Sequence, residues 1–237
     1  MNKSLKKSAI WFAVFVVFTA LVKFVDVKPV GPEGSKIGFA SLNKAVFDLC
    51  GTSTFFYQLT QFFGFVALGI VACFALLGLD QLIKRKSLHF VDSRIIAMGA
   101  YYVIVMFFYA LFMFVVINYR PVFINNEPLE SSYPSSHTML AITVVFAFMK
   151  YNNFFRNANH KVDRKVFLIA GYAFMIITVI GRVLSGVHWT TDVIGSVLLS
   201  IAIIYTYDPL VEFVTAIHDQ NEEKRLKRKA REERKQK

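Results

Sequence analysis

Two histidines, two arginines and an aspartate stand in three short clusters of this chain, and as a set they could move a phosphoryl group. His188 and Asp192 are four residues apart, a spacing that puts both on one face of a helix. A carboxylate so placed can accept a hydrogen bond from imidazole Nδ1 and leave Nε2 unprotonated, as a nucleophilic or basic histidine requires. Arg182 lies six residues before His188, across Ser185-Gly186, a pair that permits a turn. Arg120-Pro121 supplies a second guanidinium. Two arginines from separate helices suit a tetrahedral oxyanion, because each planar fork can bind two of its oxygens at once. Pro134-Ser135-Ser136-His137 adds backbone N–H groups at a helix start, with Ser135 and Ser136 as phosphate contacts. His137 is a second titratable ring, so one histidine can attack while the other serves the leaving group.

Each piece alone has a plainer reading. An Arg-Pro pair commonly stops a helix, Ser-Ser commonly caps one, and Asp192 could simply pair with Arg182. The functional reading rests on their coincidence at the ends of membrane spans, where ionisable groups are costly.

The spans are read from the distribution of apolar residues. Of 237 residues, 55% are hydrophobic and 18% charged, and the apolar ones come in long unbroken runs. Six segments emerge, at about residues 9–25, 55–79, 95–118, 136–155, 166–182 and 188–207. The expected fold is all-α: one membrane-embedded domain, residues 1–237, of six transmembrane helices. Lys3, Lys6 and Lys7 before the first segment resemble a secretory signal, but no small-residue cleavage site follows, so it is taken as a retained span.

Charge sets the orientation. Residues 1–8, 80–94, 150–165 and 208–237 hold 21 of the 27 lysines and arginines. Placing them inside satisfies the positive-inside rule, makes both termini cytoplasmic and puts the three clusters on the outer side. Nine of the 27 lysines and arginines lie in one C-terminal run, Lys224 to Lys237, and no recognition motif accompanies the net charge of +11, which argues against nucleic acid. That tail is expected to be a frayed cytoplasmic helix near lipid headgroups. The first outer loop starts with the turn Pro29-Val30-Gly31-Pro32, and residues 37–49 can form a short amphipathic helix on the membrane. Cys50 and Cys73 do not suggest a disulfide framework, and the sequence offers no metal-ligand cluster.

At these residues the chain resembles the type-2 phosphatidic acid phosphatase superfamily, marked by K-x6-R-P, P-S-G-H and S-R-x5-H-x3-D. The third motif appears as Gly181-Arg182, five residues, His188, three residues, Asp192. The second is Pro134-Ser135-Ser136-His137, with Ser136 at the glycine position. The first keeps Arg120-Pro121 but has Met113 where the lysine belongs. The resemblance covers residues 113–195 by motif. It implies in-line attack by His188 to give a phosphohistidine, with His137 protonating the leaving oxygen and then activating water. Asp192 would hold His188, while Arg120, Arg182 and Ser135 stabilise the equatorial oxygens without a metal or cofactor.

The implied substrate is a lipid phosphate or diphosphate at the outer face of the cell membrane. Undecaprenyl diphosphate ranks ahead of phosphatidylglycerophosphate and phosphatidic acid. A non-catalytic lipid-phosphate binder or transporter is the alternative; the missing lysine favours it, and retention of His188, His137 and Asp192 opposes it. Lys44 of the first outer loop is a candidate substitute for the lost cation.

Overall fold

A helix that is apolar on every side has no face to turn toward water, so it must lie in lipid or be enclosed by other helices. The computed structural model, which describes residues 2–124, 128–155 and 161–235, uses both solutions. Its helices are α1 (Lys3–Phe24), α2 (Ala40–Cys50), α3 (Thr54–Arg85), α4 (Ser93–Phe114), α5 (Ser136–Phe155), α6 (Lys161–Leu184) and α7 (Thr190–Lys235). Among the described residues there is no strand, only isolated bridges joining Lys28 to Ile37 and Tyr119 to Ser131. Local chemistry starts several helices: the Asn2, Ser53 and Asp92 side chains accept from the N–H groups of Ser4, Phe56 and Arg94.

Among the described residues, α1, α3, α4, the Arg164–Leu184 part of α6 and the Thr190–Arg228 part of α7 are each long and apolar enough to cross a bilayer. Phe62, Phe65, Phe107, Phe114 and Ile176 stand exposed around them, an apolar belt that water would not tolerate. The chain is a multi-pass membrane protein. α5 has the bounds predicted for the fourth segment and is the central helix, packed against α3, α4, α6 and α7. Its Met139, Ala141, Val144 and Ala147 are fully enclosed.

α1 lies along α7, where Ser8 Oγ donates to the Ala202 carbonyl at 2.9 Å. Farther along α1, Thr19 Oγ1 pairs with Tyr133 Oη at 2.7 Å and Phe15 stacks on the Tyr133 ring. The first helix therefore braces the loop that leads into α5.

Several boundaries differ from expectation, and three of them shape the fold. α3 continues to Arg85 rather than stopping near Leu79. α4 stops at Phe114, with Val115 extended, which frees Asn118 to turn inward and become buried. α7 begins at Thr190, two residues after His188, and runs 46 residues through Pro209, so the basic tail expected to fray is continuous with the last span through Lys235.

At one end of the bundle the loops interlock. Gly38 N donates to Asn118 Oδ1, Ser53 N to the Ser185 carbonyl, and Ser132 N to the Asn118 carbonyl at 2.9 Å. Every sequence-predicted site residue lies at or beside this end. At the opposite end Lys150 of α5 pairs with Asp208 of α7 at 2.9 Å.

Candidate active site

The start of α7 is the organising feature. Its first N–H groups have no partner within the helix and must find one elsewhere. Asp192, at the third helical position, reaches back so that Oδ2 accepts from Trp189 N at 2.9 Å, half of a capping box. Asn43 of α2 supplies the rest: its Oδ1 accepts from Thr191 N at 3.1 Å and its Nδ2 donates to Thr191 Oγ1 at 2.8 Å. The amphipathic helix expected to lie on the membrane is thus docked onto the top of α7.

Asp192 is wholly buried and its other oxygen accepts from Asn118 Nδ2 at 3.2 Å. His188 lies outside the helix, in the connection between α6 and α7, so the expected shared helical face does not form. Its Nδ1 is 3.7 Å from Asp192 Oδ2 and 3.0 Å from the Ser132 carbonyl oxygen. A carbonyl only accepts, so Nδ1 carries the proton and Nε2 presents its lone pair. The direct Asp192–His188 hydrogen bond predicted from spacing is replaced by a main-chain acceptor, because the carboxylate is committed to the helix start. Burial, and after it the guanidinium groups of Arg182 and Arg120, hold the His188 imidazole well below its ordinary pKa and hence neutral.

His137 opens α5 across the site. Gly64 of α3 makes room for it: a Cβ at that position would sit 2.6 Å from His137 Cδ2 and 3.0 Å from Nε2. Arg182, at 1% exposure, comes from the last turn of α6 and donates to Thr60 Oγ1 of α3 at 3.1 Å, with the Tyr57 ring beside it. The departure at Gly181 has a local cause, since a Cβ there would meet Thr60 Cγ2 at 2.7 Å and push away the hydroxyl that holds Arg182. Gly186, at φ +68°, makes the turn between Arg182 and His188 in a backbone region that favours glycine.

Arg120 belongs to a short antiparallel turn in which its N–H donates to the Glu130 carbonyl. Its Nε pairs with Glu130 Oε2 at 2.9 Å, and Nη1 reaches the Val187 carbonyl at 3.5 Å.

Arg120, His137, His188, Ser136 and Met113 line one cavity of about 440 Å³, with Phe108 and Phe112 on its α4 side. Met113 therefore does face the same space as Arg120, as the first motif requires. Ser135 does not line it: its Oγ accepts from Thr138 and its carbonyl from Ser196, so of this adjacent pair Ser136 is the one placed to meet a ligand, alongside Ser131 and Ser132. Lys44 does not line it either; it is paired with Asp48 on α2 at 2.6 Å.

Among the described residues, Ser131 Oγ, Ser132 Oγ, His137 Nδ1, Arg182 Nε and His188 Nε2 are buried at this end without a hydrogen-bond partner. Buried polar atoms are ordinarily satisfied, so their convergence calls for a polar ligand. Asn43, Thr60, Gly64, Asn118 and Glu130 escaped the sequence reading. The one usable signal was a polar Asn118 at the end of an otherwise apolar run.

The sequence pattern of the PAP2 superfamily matches residues 106–215. Comparison with curated protein sequences returns no significant match. Among solved structures, the fold is similar to the crystal structure of the first transmembrane PAP2-type phosphatidylglycerolphosphate phosphatase from Bacillus subtilis. The TM-score is 0.51 at 17% identity, covering 90% of this chain and 96% of that one.

Proposed function

We propose that the chain is a membrane phosphatase of the PAP2 type, whose sequence pattern matches residues 106–215, and that it hydrolyses a lipid phosphate or diphosphate through a phosphohistidine on His188. The observation that carries this reading is the neutral, partnerless Nε2 of His188 in a cavity shared with His137 and Arg120.

The reaction proceeds in two steps. His188 Nε2 donates its lone pair to phosphorus while the bond to the lipid oxygen breaks in line, and His137 gives that oxygen its proton. Arg120 and Ser136 hold the equatorial oxygens from the cavity wall, and Arg182, buried behind that wall, adds its positive charge; the charge on those oxygens is fully expressed only in the transition state. As the imidazole becomes cationic, the Asp192 charge 3.7 Å away stabilises it and the Ser132 carbonyl keeps its ring in place. Water then attacks the phosphohistidine, deprotonated by His137, and releases phosphate.

We further infer that α5 is the sixth span, that both termini are cytoplasmic and that the site faces outward in the cell membrane, on the strength of the charge asymmetry. An outward site suits recovery of a lipid carrier after export, so undecaprenyl diphosphate is placed ahead of phosphatidylglycerophosphate and phosphatidic acid. The test is release of inorganic phosphate from a panel of these lipids by purified protein, with His188→Ala as control. Release from none of them would refute the reading.

A further inference from the structure

The inner end of the fold carries a second set of convergent cations that the reaction does not use. The connection between α3 and α4 contains a 3₁₀ turn, Leu88–Phe90, which packs against the cytoplasmic part of α7. Together they enclose a cavity of about 570 Å³ bordered by Arg85, Lys224, Arg225 and Arg228. Among the described residues Glu222 is the one carboxylate on its border, and His89 and His218 add two imidazoles.

This is a formed pocket and not merely a stretch of basic sequence. Arg85 donates to the Phe90 carbonyl, and the Arg225 guanidinium lies over the Phe90 ring at 4.5 Å. Arg225 Nε is buried there with no hydrogen-bond partner. The connection itself is fixed on both sides: Asp92 N donates to Gln81 Oε1 of α3 at 2.9 Å, and Ser93 of α4 accepts from Thr215 of α7 at 3.3 Å. Four cations so close repel one another unless an anion lies between them, and guanidinium forks match phosphate oxygens.

Depth points to the source of the phosphate. At 1.5 Å per residue, His218 lies about 42 Å along α7 from Thr190, beyond a hydrocarbon layer of about 30 Å. That places the pocket at the level of the inner headgroups.

We propose that this pocket is a second phosphate-binding site, which takes the phosphate of an anionic phospholipid headgroup and ties the α3–α4 connection to the tail of α7. Free inorganic phosphate offers the same chemistry, and the test separates the two. Full-length protein in phosphatidylcholine nanodiscs is compared with protein in nanodiscs that also contain phosphatidylglycerol. Amide hydrogen exchange is followed in residues 85–92 and 218–228. Phosphatidylglycerol should slow exchange in both segments, and Arg85→Gln or Arg225→Gln should weaken its association about tenfold, the loss of one charge-assisted contact. Arg231→Gln removes the same charge from the same helix outside the pocket and should change association less than about twofold. Protection by millimolar inorganic phosphate in phosphatidylcholine alone would keep the site and assign it to free phosphate. Equal loss in Arg231→Gln and Arg225→Gln would reduce the effect to diffuse surface attraction and overturn the proposal. So would wild-type protein that neither ligand protects, a result that does not depend on any variant folding.

Discussion

His188 and Asp192 face each other across 3.7 Å without a hydrogen bond, the carboxylate being closed onto Trp189 N–H and the imidazole onto the Ser132 carbonyl. Tautomer and charge compensation are thereby divided between two groups. Asp192→Asn should leave the Nδ1–H tautomer in place and lower kcat by about 10³-fold or less, milder than when the carboxylate itself fixes the tautomer. His188→Ala should abolish turnover. Phosphate release measured on both variants checks this, and near-normal turnover in His188→Ala would end the phosphohistidine mechanism.

Gly64 tests the role of His137. A methyl group there would displace the ring by contact at 2.6 Å, so Gly64→Ala should cut kcat by about 10²-fold on a lipid with a poor leaving group. A substrate whose leaving group needs no proton, such as a nitrophenyl ester, should lose much less. Equal losses on the two substrates would show that His137 is not the acid.

Met113 faces the cavity while Lys44 is occupied with Asp48 on α2. Met113→Lys should therefore lower KM for a phosphorylated lipid by up to about tenfold, the worth of one partly solvated charged contact of about 1.4 kcal/mol. Lys44→Ala should leave KM unchanged. A KM that does not respond to Met113→Lys would remove the first motif from the phosphate site.

With guanidinium groups as the charge stabilisers, activity should survive excess chelator and vanadate should inhibit competitively. Restoration of a chelated, inactive enzyme by Mg²⁺ would contradict this assignment of Arg120 and Arg182.

Sidedness is open to labelling. In a Cys50→Ser, Cys73→Ala background, Lys36→Cys in the first loop should react with an impermeant thiol reagent on intact cells, and Lys86→Cys at the end of α3 should not. The opposite pattern would put the site in the cytoplasm.

The parts legible in the sequence were those whose geometry follows from short spacing. Arg182, Gly186 and His188 follow one another through a single turn, as expected, whereas Met113 and Arg120, expected two turns apart on one helix, share the cavity although α4 stops at Phe114. The rest depended on long-range packing. Asn118 meets Asp192 across 74 residues and Asn43 meets Thr191 across 148, distances over which no local pattern carries information. Ser135 and Ser136 show a finer limit. Which of two adjacent serines faces the ligand depends on how α5 is rotated, and that is settled by Asp192 and Ser196 on α7 binding the Ser135 backbone.

The cavity's α4 wall has an economic side. Phe108, Tyr109, Phe112 and Met113 form it, and Met113 is 62% exposed on a helix whose Val103, Phe107 and Phe114 also point outward. Drawing a hydrocarbon tail into water costs roughly 0.8 kcal/mol per methylene, or about 12 kcal/mol for a fifteen-carbon stretch. A site walled in this way lets the tail stay dissolved in the bilayer while only the headgroup changes surroundings. On the proposed reaction, turnover escapes a partitioning barrier larger than the whole stability of many domains, and the dephosphorylated lipid is left where it began, in the same leaflet.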